Sequence, residues 1–142
     1  MNWETYFQAG NSLYDKGFYL RDKEDLLSII NALKNYIQAN KLLKKDDIRK
    51  PKTLCYIASC NYKIGNIVAA YQIAYRAKRS IRSSIQNSIL GGITGNMIGE
   101  QRIDELIQAI EQNFKKEISK CDITNDNFDE NYLDLSRASK HL

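Results

Sequence analysis

The chain has 142 residues, of which 43% are hydrophobic and 27% are charged, proportions typical of one soluble globular domain with its own core. Three cysteines and one histidine, His141, provide neither the ligand spacing of a zinc site nor a Ser-His or Cys-His pair. The sequence therefore predicts a protein without metal, cofactor or catalytic activity. Residues 1–7 are too polar for a signal peptide, so we expect a cytoplasmic protein that does not contact membranes.

A single proline and three- to four-residue spacing of apolar side chains predict an all-α fold. Helical patterns cover residues 2–16, 26–43, 51–64 and 67–84. Pro51 suits the first turn of the third helix, because the N–H that proline lacks would have no partner there. We expect these helices to form two hairpins, over residues 2–43 and 51–84, within one domain spanning residues 1–120.

The segment after the second hairpin is uncharged and rich in glycine. Residues 83–99 include Gly91, Gly92, Gly95 and Gly99, and each glycine costs a helix about 1 kcal/mol. We therefore predict a loop over residues 85–99, with a close helix contact through the glycines as the alternative. A capping helix over residues 100–120 and a tail over residues 121–142 follow, and the tail carries a short helical pattern at 128–139.

Charge is distributed unevenly around a net value of +4. Residues 44–82 contain ten basic side chains against two acidic ones, whereas residues 121–142 contain five acidic against two basic ones. Opposite charges in one chain attract. The acidic tail is therefore expected either to fold against the basic middle of the chain or to extend into solvent.

The two hairpins follow the same sequence plan. Residues 10–17 align with residues 58–65, sharing a tyrosine and a final glycine, and the helices that follow share an alanine spacing. The matching positions of the first hairpin are Tyr6, Ala9, Gly10, Leu13, Gly17, Tyr19, Ala32, Tyr36 and Ala39, and those of the second are Leu54, Ile57, Ala58, Tyr62, Gly65, Ala70, Ala74 and Ala77. This plan resembles the tetratricopeptide repeat family, in which small residues stand where helices cross.

The resemblance implies a right-handed stack of two repeats and a capping helix, with a groove lined by the first helix of each repeat. In this family such a groove holds a peptide or a helix of a partner protein. Transferred by position, the partner-binding residues are Asn11, Asp15, Lys52, Tyr56, Ser59 and Lys63. The lysines favour an acidic partner, and the open end of so short a stack favours self-association into a homo-oligomer.

Two alternatives remain open. The alanine spacing is also compatible with an unrelated helical bundle. Arg76, Arg79 and Arg82 form a cationic stripe on the fourth helix that could bind phosphates, which makes a nucleic-acid-binding protein the alternative function. Against nucleic acid stands the lack of a recognisable motif with base-stacking aromatic residues. A solvated surface, or a docking site for the acidic tail, is the other interpretation of this stripe.

Overall fold

The computed structural model describes the backbone of residues 2–87, 93–125 and 127–138, and the side chains of these residues except those of 82–87 and 93–99. The described residues form α-helices and no β-strand, which confirms the predicted all-α class. The helices are α1 (Trp3–Gly17), α2 (Lys23–Lys41), α3 (Lys50–Lys63), α4 (Ile67–Asn87), α5 (Ile93–Asn113) and α6 (Lys115–Ile118). In the described part of the chain, no helix combines the length and the apolar character needed to cross a bilayer.

Local chemistry explains where the first three helices begin. The Asn2 side chain accepts a hydrogen bond from the backbone N–H of Thr5 at 2.9 Å, and Asp22 accepts one from the N–H of Asp25 at 2.9 Å. Such caps satisfy N–H groups that the first helical turn leaves unpaired. Pro51 occupies the first turn of α3, as predicted.

Helices that are adjacent in the chain pack against each other, as the sequence predicts. Helix α1 packs on α2 and α3 packs on α4, while α2 contacts α3, and α5 contacts both α3 and α4. A methyl group added at Gly10 would lie 2.7 Å from a ring carbon of Tyr36, so the ring packs against the backbone of α1 there and would have to shift to admit a side chain. The alanines of the shared spacing are fully buried, namely Ala32, Ala39, Ala70, Ala74 and Ala77.

The bounds of the later elements differ from the predicted ones. Helix α4 continues to Asn87 and α5 begins at Ile93, inside the segment predicted as a loop, whereas Gly91 and Gly92 lie outside the described residues. Extending a formed helix adds one hydrogen bond per residue, which offsets part of the cost of Gly95 and Gly99. The predicted capping helix over 100–120 is interrupted at Phe114, between α5 and α6.

In its described residues, the acidic tail folds back onto the helices but does not form an α-helix. Residues 127–137 form turns and irregular backbone, so the helix predicted over 128–139 is not formed there. Two aspartates explain this outcome, because Asp129 accepts a hydrogen bond from the N–H of Asn131 and Asp134 accepts one from the N–H of Ser136, both at 2.9 Å. Such local bonds compete with helical ones.

Candidate functional site

The facing sides of α1, α2 and α3 meet in a cluster of five aromatic rings, which we call the aromatic face: Trp3, Phe7, Tyr14, Tyr36 and Tyr56. The ring centroids of Phe7 lie 5.5 Å from those of both Tyr36 and Tyr56. Tyr36 and Tyr56 stack at 5.0 Å, Tyr14 meets Tyr56 edge-on at 5.5 Å, and Trp3 stacks on Phe7 at 4.5 Å. Phe7 and Tyr36 are buried and the other three rings are half-buried, so solvent reaches part of the aromatic surface.

Three exposed cations stand at the rim of the aromatic face. Arg49, which is paired with Asp47, lies 5.2 Å from the ring centroid of Trp3. The Lys52 ammonium lies 5.4 Å from the ring centroid of Phe7, a distance at which the ring attracts a cation. From α5, Arg102 donates a hydrogen bond through Nη1 to the hydroxyl of Tyr56 at 3.0 Å. Helices α1, α3 and α5 therefore all contribute to a surface that combines aromatic rings with positive charge.

A fourth cation, Lys63, is bound to the end of α1. Its Nζ donates a hydrogen bond to the backbone oxygen of Phe18 at 2.9 Å and lies 3.9 Å from the centroid of the Phe18 ring. Partial burial lowers the pKa of Lys63. This lysine joins α3 to the loop after α1, and its ammonium is less exposed than that of Lys52.

Hydrogen bonds fix the rings in place. Trp3 Nε1 donates to the hydroxyl of Thr53 at 2.9 Å, which joins α1 to α3, and the Tyr36 hydroxyl donates to Asn11 Oδ1 at 2.7 Å. Burial raises the pKa of Tyr14 to about 12 and also raises the pKa of Tyr36. Both phenols are therefore neutral at physiological pH, and the charge of this surface comes from its cations.

The predicted partner-binding residues lie on α1 and α3, namely Asn11, Asp15, Lys52, Tyr56, Ser59 and Lys63. Only some of them belong to the aromatic face. Tyr56 is at the centre of the ring cluster and Lys52 is at its rim. Asn11 is engaged by the Tyr36 hydroxyl, Asp15 is exposed and Ser59 is half-buried. That these residues bind a partner stays a prediction.

A second charged cluster holds the acidic tail. The carboxylate of Glu130 lies 2.6 Å from Lys50 Nζ and 3.2 Å from Arg76 Nη1, and it also accepts a hydrogen bond from Asn40 at 3.2 Å. The side chains of Lys50 and Glu130 are only 8% and 19% exposed. The tail therefore docks on the basic middle of the chain, one of the two outcomes expected from the charge distribution.

The carboxylate of Glu130 stays ionised in this position. Burial by itself would raise the pKa of Glu130, but the hydrogen bond and charge of Lys50, with hydrogen bonds from Arg76 and Asn40, outweigh burial and lower the pKa. Charge-assisted hydrogen bonds of this kind are stronger than neutral ones. Glu130 is thus the electrostatic anchor of the tail.

The arginines predicted as a phosphate-binding stripe contact the tail. Arg76 places its guanidinium 4.5 Å from the ring centroid of Phe128, in addition to its ion pair with Glu130. Arg79 donates to the backbone oxygen of Ile123 at 2.6 Å, and the side chain of Arg82 lies outside the described residues. The structure matches the docking-site interpretation of the stripe, and phosphate binding stays a prediction.

Sequence analysis missed two features of these surfaces. Arg102 is one of several charged residues on α5, and no spacing links it to Tyr56, 46 positions away. Lys50 adjoins Pro51 in a basic run that is typical of a solvated link, yet it is buried. The excess of acidic residues in the tail indicated attraction to the basic middle of the chain, but it did not indicate which lysine would be buried.

Comparison of the chain with protein-family models, with curated proteins and with solved structures found no match.

Proposed function

We propose that the protein is a binding module of the tetratricopeptide repeat kind, which holds an acidic peptide or helix of a partner protein on its aromatic face. The shared sequence plan of the two hairpins and the packing of adjacent helices support the repeat. The contribution of α1, α3 and α5 to one surface supports the groove, since alternate helices line the groove of such repeats. The role is binding rather than catalysis, because a single histidine offers no catalytic pair.

One observation carries the proposal: exposed cations stand at the rim of half-buried rings. Phe7 and Tyr36 form the floor of the surface, Tyr56 is half-exposed above them, and Lys52 and Arg102 stand beside them. Half-buried aromatic rings gain apolar contact when a partner covers them, at low cost in side-chain entropy. Binding energy therefore comes from the rings, and selectivity for acidic partners comes from the cations.

The same geometry defines the chemistry of the ligand. Apolar side chains of the partner would cover the exposed edges of Trp3, Tyr14 and Tyr56, while flanking carboxylates would pair with Lys52 and Arg102. An amphipathic helix with acidic flanks and an extended acidic peptide both meet these requirements. Rim charges act mainly on the association rate, so binding should weaken as salt concentration rises.

A displayed library of random peptides, selected on the full-length protein, tests the proposal and samples every peptide chemistry at once. The test variant combines Lys52→Glu with Arg102→Glu. The matched control combines Lys34→Glu with Lys45→Glu, the same change in net charge at exposed positions of α2 and of the loop that follows it. We expect enrichment of acidic, aromatic-containing peptides that bind the control and wild type alike and bind the test variant at least about tenfold more weakly.

Failure would take one of two forms. A selection that yields no consensus above background would contradict a peptide-binding role. Peptides that lose affinity equally for both variants would show that general charge attraction, and not the aromatic face, holds the ligand.

A further inference from the structure

The tail lies on a surface that recognises its main chain. Three asparagines in this surface are almost completely buried: Asn40 on α2, Asn61 on α3 and Asn66 immediately before α4. We call the surface formed by these asparagines, Lys50 and Arg76 the asparagine groove. The side-chain amides of Asn61 and Asn66 donate to the backbone oxygens of Tyr132 and Asp134, at 3.5 and 2.9 Å. Residues 132–135 lie between two turns of the tail. Backbone oxygens two residues apart point to the same side of an extended chain, so this part of the groove fits a short extended stretch of peptide.

The two asparagine amides are held in position by the helices themselves. Asn61 also donates to the backbone oxygen of Ile57 at 3.0 Å, and its Oδ1 accepts a hydrogen bond from Asn66 at 3.1 Å. Buried amides whose remaining groups are already paired have little freedom to turn away. They therefore present fixed donors, and a fixed donor to a backbone oxygen does not depend on the ligand's side chain.

Side-chain selectivity comes from the other end of the groove. Lys50 and Arg76 grip the carboxylate of Glu130, and the Arg76 guanidinium lies over the ring of Phe128 two residues earlier. The recognised pattern is an aromatic residue, a carboxylate two residues later, and free backbone oxygens two and four residues after the carboxylate. This pattern describes a class of acidic segments with a turn at the carboxylate, and it is not unique to the tail.

The tail leaves part of the groove unused. Asn40 Oδ1 is buried and accepts no hydrogen bond from the described residues, although its amide nitrogen donates to Asn131 Oδ1 at 2.8 Å. A cleft continues beside the tail between α4 and Tyr132, lined in part by the exposed side chain of Val68. A ligand with a donor opposite Asn40 and an apolar side chain over Val68 would make contacts that the tail does not make.

We propose that the asparagine groove is a second peptide-binding site, that its ligand is an acidic segment of a partner protein with a turn at its carboxylate and a short extended stretch after it, and that residues 128–134 are its built-in competitor. The groove is separate from the aromatic face and does not depend on the function proposed for that face. A tethered competitor acts at a high effective concentration. The groove is therefore closed to weak ligands and opens to those that match it better than the tail.

A fluorescent peptide with the sequence of residues 127–138 is the probe, and fluorescence anisotropy with the full-length protein is the measurement. Glu130→Lys places a cation against Lys50 and Arg76, which releases the tail. We expect the probe to bind the Glu130→Lys protein at least about tenfold more tightly than wild type, since the competitor is gone. A probe in which the Glu130 equivalent is Gln should bind that variant at least about tenfold more weakly than the original probe.

Controls separate this proposal from the first one and from loss of folding. The variant with Lys52→Glu and Arg102→Glu should have the same probe affinity as its parent, because the aromatic face is not involved. Circular dichroism checks the fold of the Glu130→Lys protein. If that protein is unfolded, a second variant is used, in which a protease site replaces residues 122–127 of the otherwise wild-type chain. The folded protein is cut at this site. The probe should then replace the severed tail, whereas a probe of scrambled sequence should not.

Three results would overturn the proposal. One is equal probe binding, or none, in folded wild type and Glu130→Lys. Another is a severed tail that stays bound to the groove and is not replaced by the probe. The third is a wild-type dimer that the probe converts to monomers, because it would identify the tail of a second copy as the ligand instead of a partner protein.

Discussion

Lys50 and Lys52 are two positions apart on α3, yet they belong to surfaces of opposite character. Lys50 is buried against Glu130, whereas Lys52 is exposed above the ring of Phe7. The lysine of the asparagine groove is thus paired with a carboxylate of the tail. At the rim of the aromatic face, by contrast, no carboxylate of the described residues pairs with Lys52. The difference teaches that position along a helix, and not residue type, decides whether a lysine stabilises the fold or remains available to a partner.

The largest expected effect comes from breaking the groove's ion pair. Glu130→Ala leaves the buried ammonium of Lys50 without its carboxylate, which we expect to lower the free energy of unfolding by about 3 kcal/mol. Urea denaturation followed by circular dichroism measures the change. Glu105→Ala, at an exposed position of α5, is the control and should change stability by less than about 0.5 kcal/mol.

A second variant sharpens this result. Lys50→Met added to Glu130→Ala removes the stranded charge, so the double variant should recover much of the lost stability. If the double variant is as unstable as Glu130→Ala, the loss does not come from an unpaired lysine, and the electrostatic account of the groove is wrong.

The next effect concerns the aromatic face. Gly10→Ala forces a methyl group against the ring of Tyr36, 2.7 Å from its nearest carbon, and we expect a loss of about 2 kcal/mol because a packed ring has little room to move. Ser12→Ala, exposed on the same helix, serves as the control. Thermal denaturation compares the two variants. A Gly10→Ala protein as stable as wild type would contradict tight packing of the Tyr36 ring against α1.

Acid should act on the groove more weakly than deleting Glu130, because a protonated carboxyl group still forms hydrogen bonds. The pKa of Glu130 is lower in the folded chain than in the unfolded chain, so the folded state binds fewer protons between these two values. Stability from this group is present above the unfolded pKa of about 4.3 and is lost as pH falls through the folded pKa.

Urea denaturation of wild type and Glu130→Gln between pH 7 and pH 3 tests this expectation. Asp25 and Asp47 also have lowered pKa values, so both proteins lose stability in acid, and the difference between them reports on Glu130. The difference should shrink as pH falls. A difference that stays constant down to pH 3 would contradict ionisation of Glu130 in the fold.

The smallest effect on stability is expected at the aromatic face's rim. Lys52→Ala removes an exposed cation from above a ring, an interaction worth about 0.5 kcal/mol at such sites. Binding of the peptides selected on the wild-type protein should nevertheless fall several-fold. A variant that loses stability but keeps affinity would show that Lys52 belongs to the fold and not to a binding site.

The sequence predicts the elements with strong periodicity better than the rest. The alanine spacing predicts positions that helix packing covers, since Ala32 and Ala70 are both fully buried. The tail has only a short helical pattern, which its described residues do not follow. Its charge predicts attraction to the basic middle, but only the folded structure selects Glu130 for Lys50, because the two are 80 residues apart.

The aromatic face shows the same limit. The repeat plan singles out Tyr56 and Lys52 because they lie on α3, the first helix of the second predicted repeat. It does not identify Trp3, whose indole reaches Thr53, or Arg102 on α5. Contacts between distant helices depend on the angle at which the helices cross, and the spacing of residues within one helix does not determine that angle.

Reductive methylation of lysines in the native protein, followed by mass spectrometry, compares Lys50 and Lys52 directly. The two amines are in one helix and one sample, so each is the control for the other. The structure predicts rapid modification of Lys52, slow modification of Lys50, and acceleration at Lys50 alone in the Glu130→Gln protein. Equal methylation rates at the two lysines in the native wild-type chain would contradict both the burial of Lys50 in the asparagine groove and the exposure of Lys52 at the aromatic face.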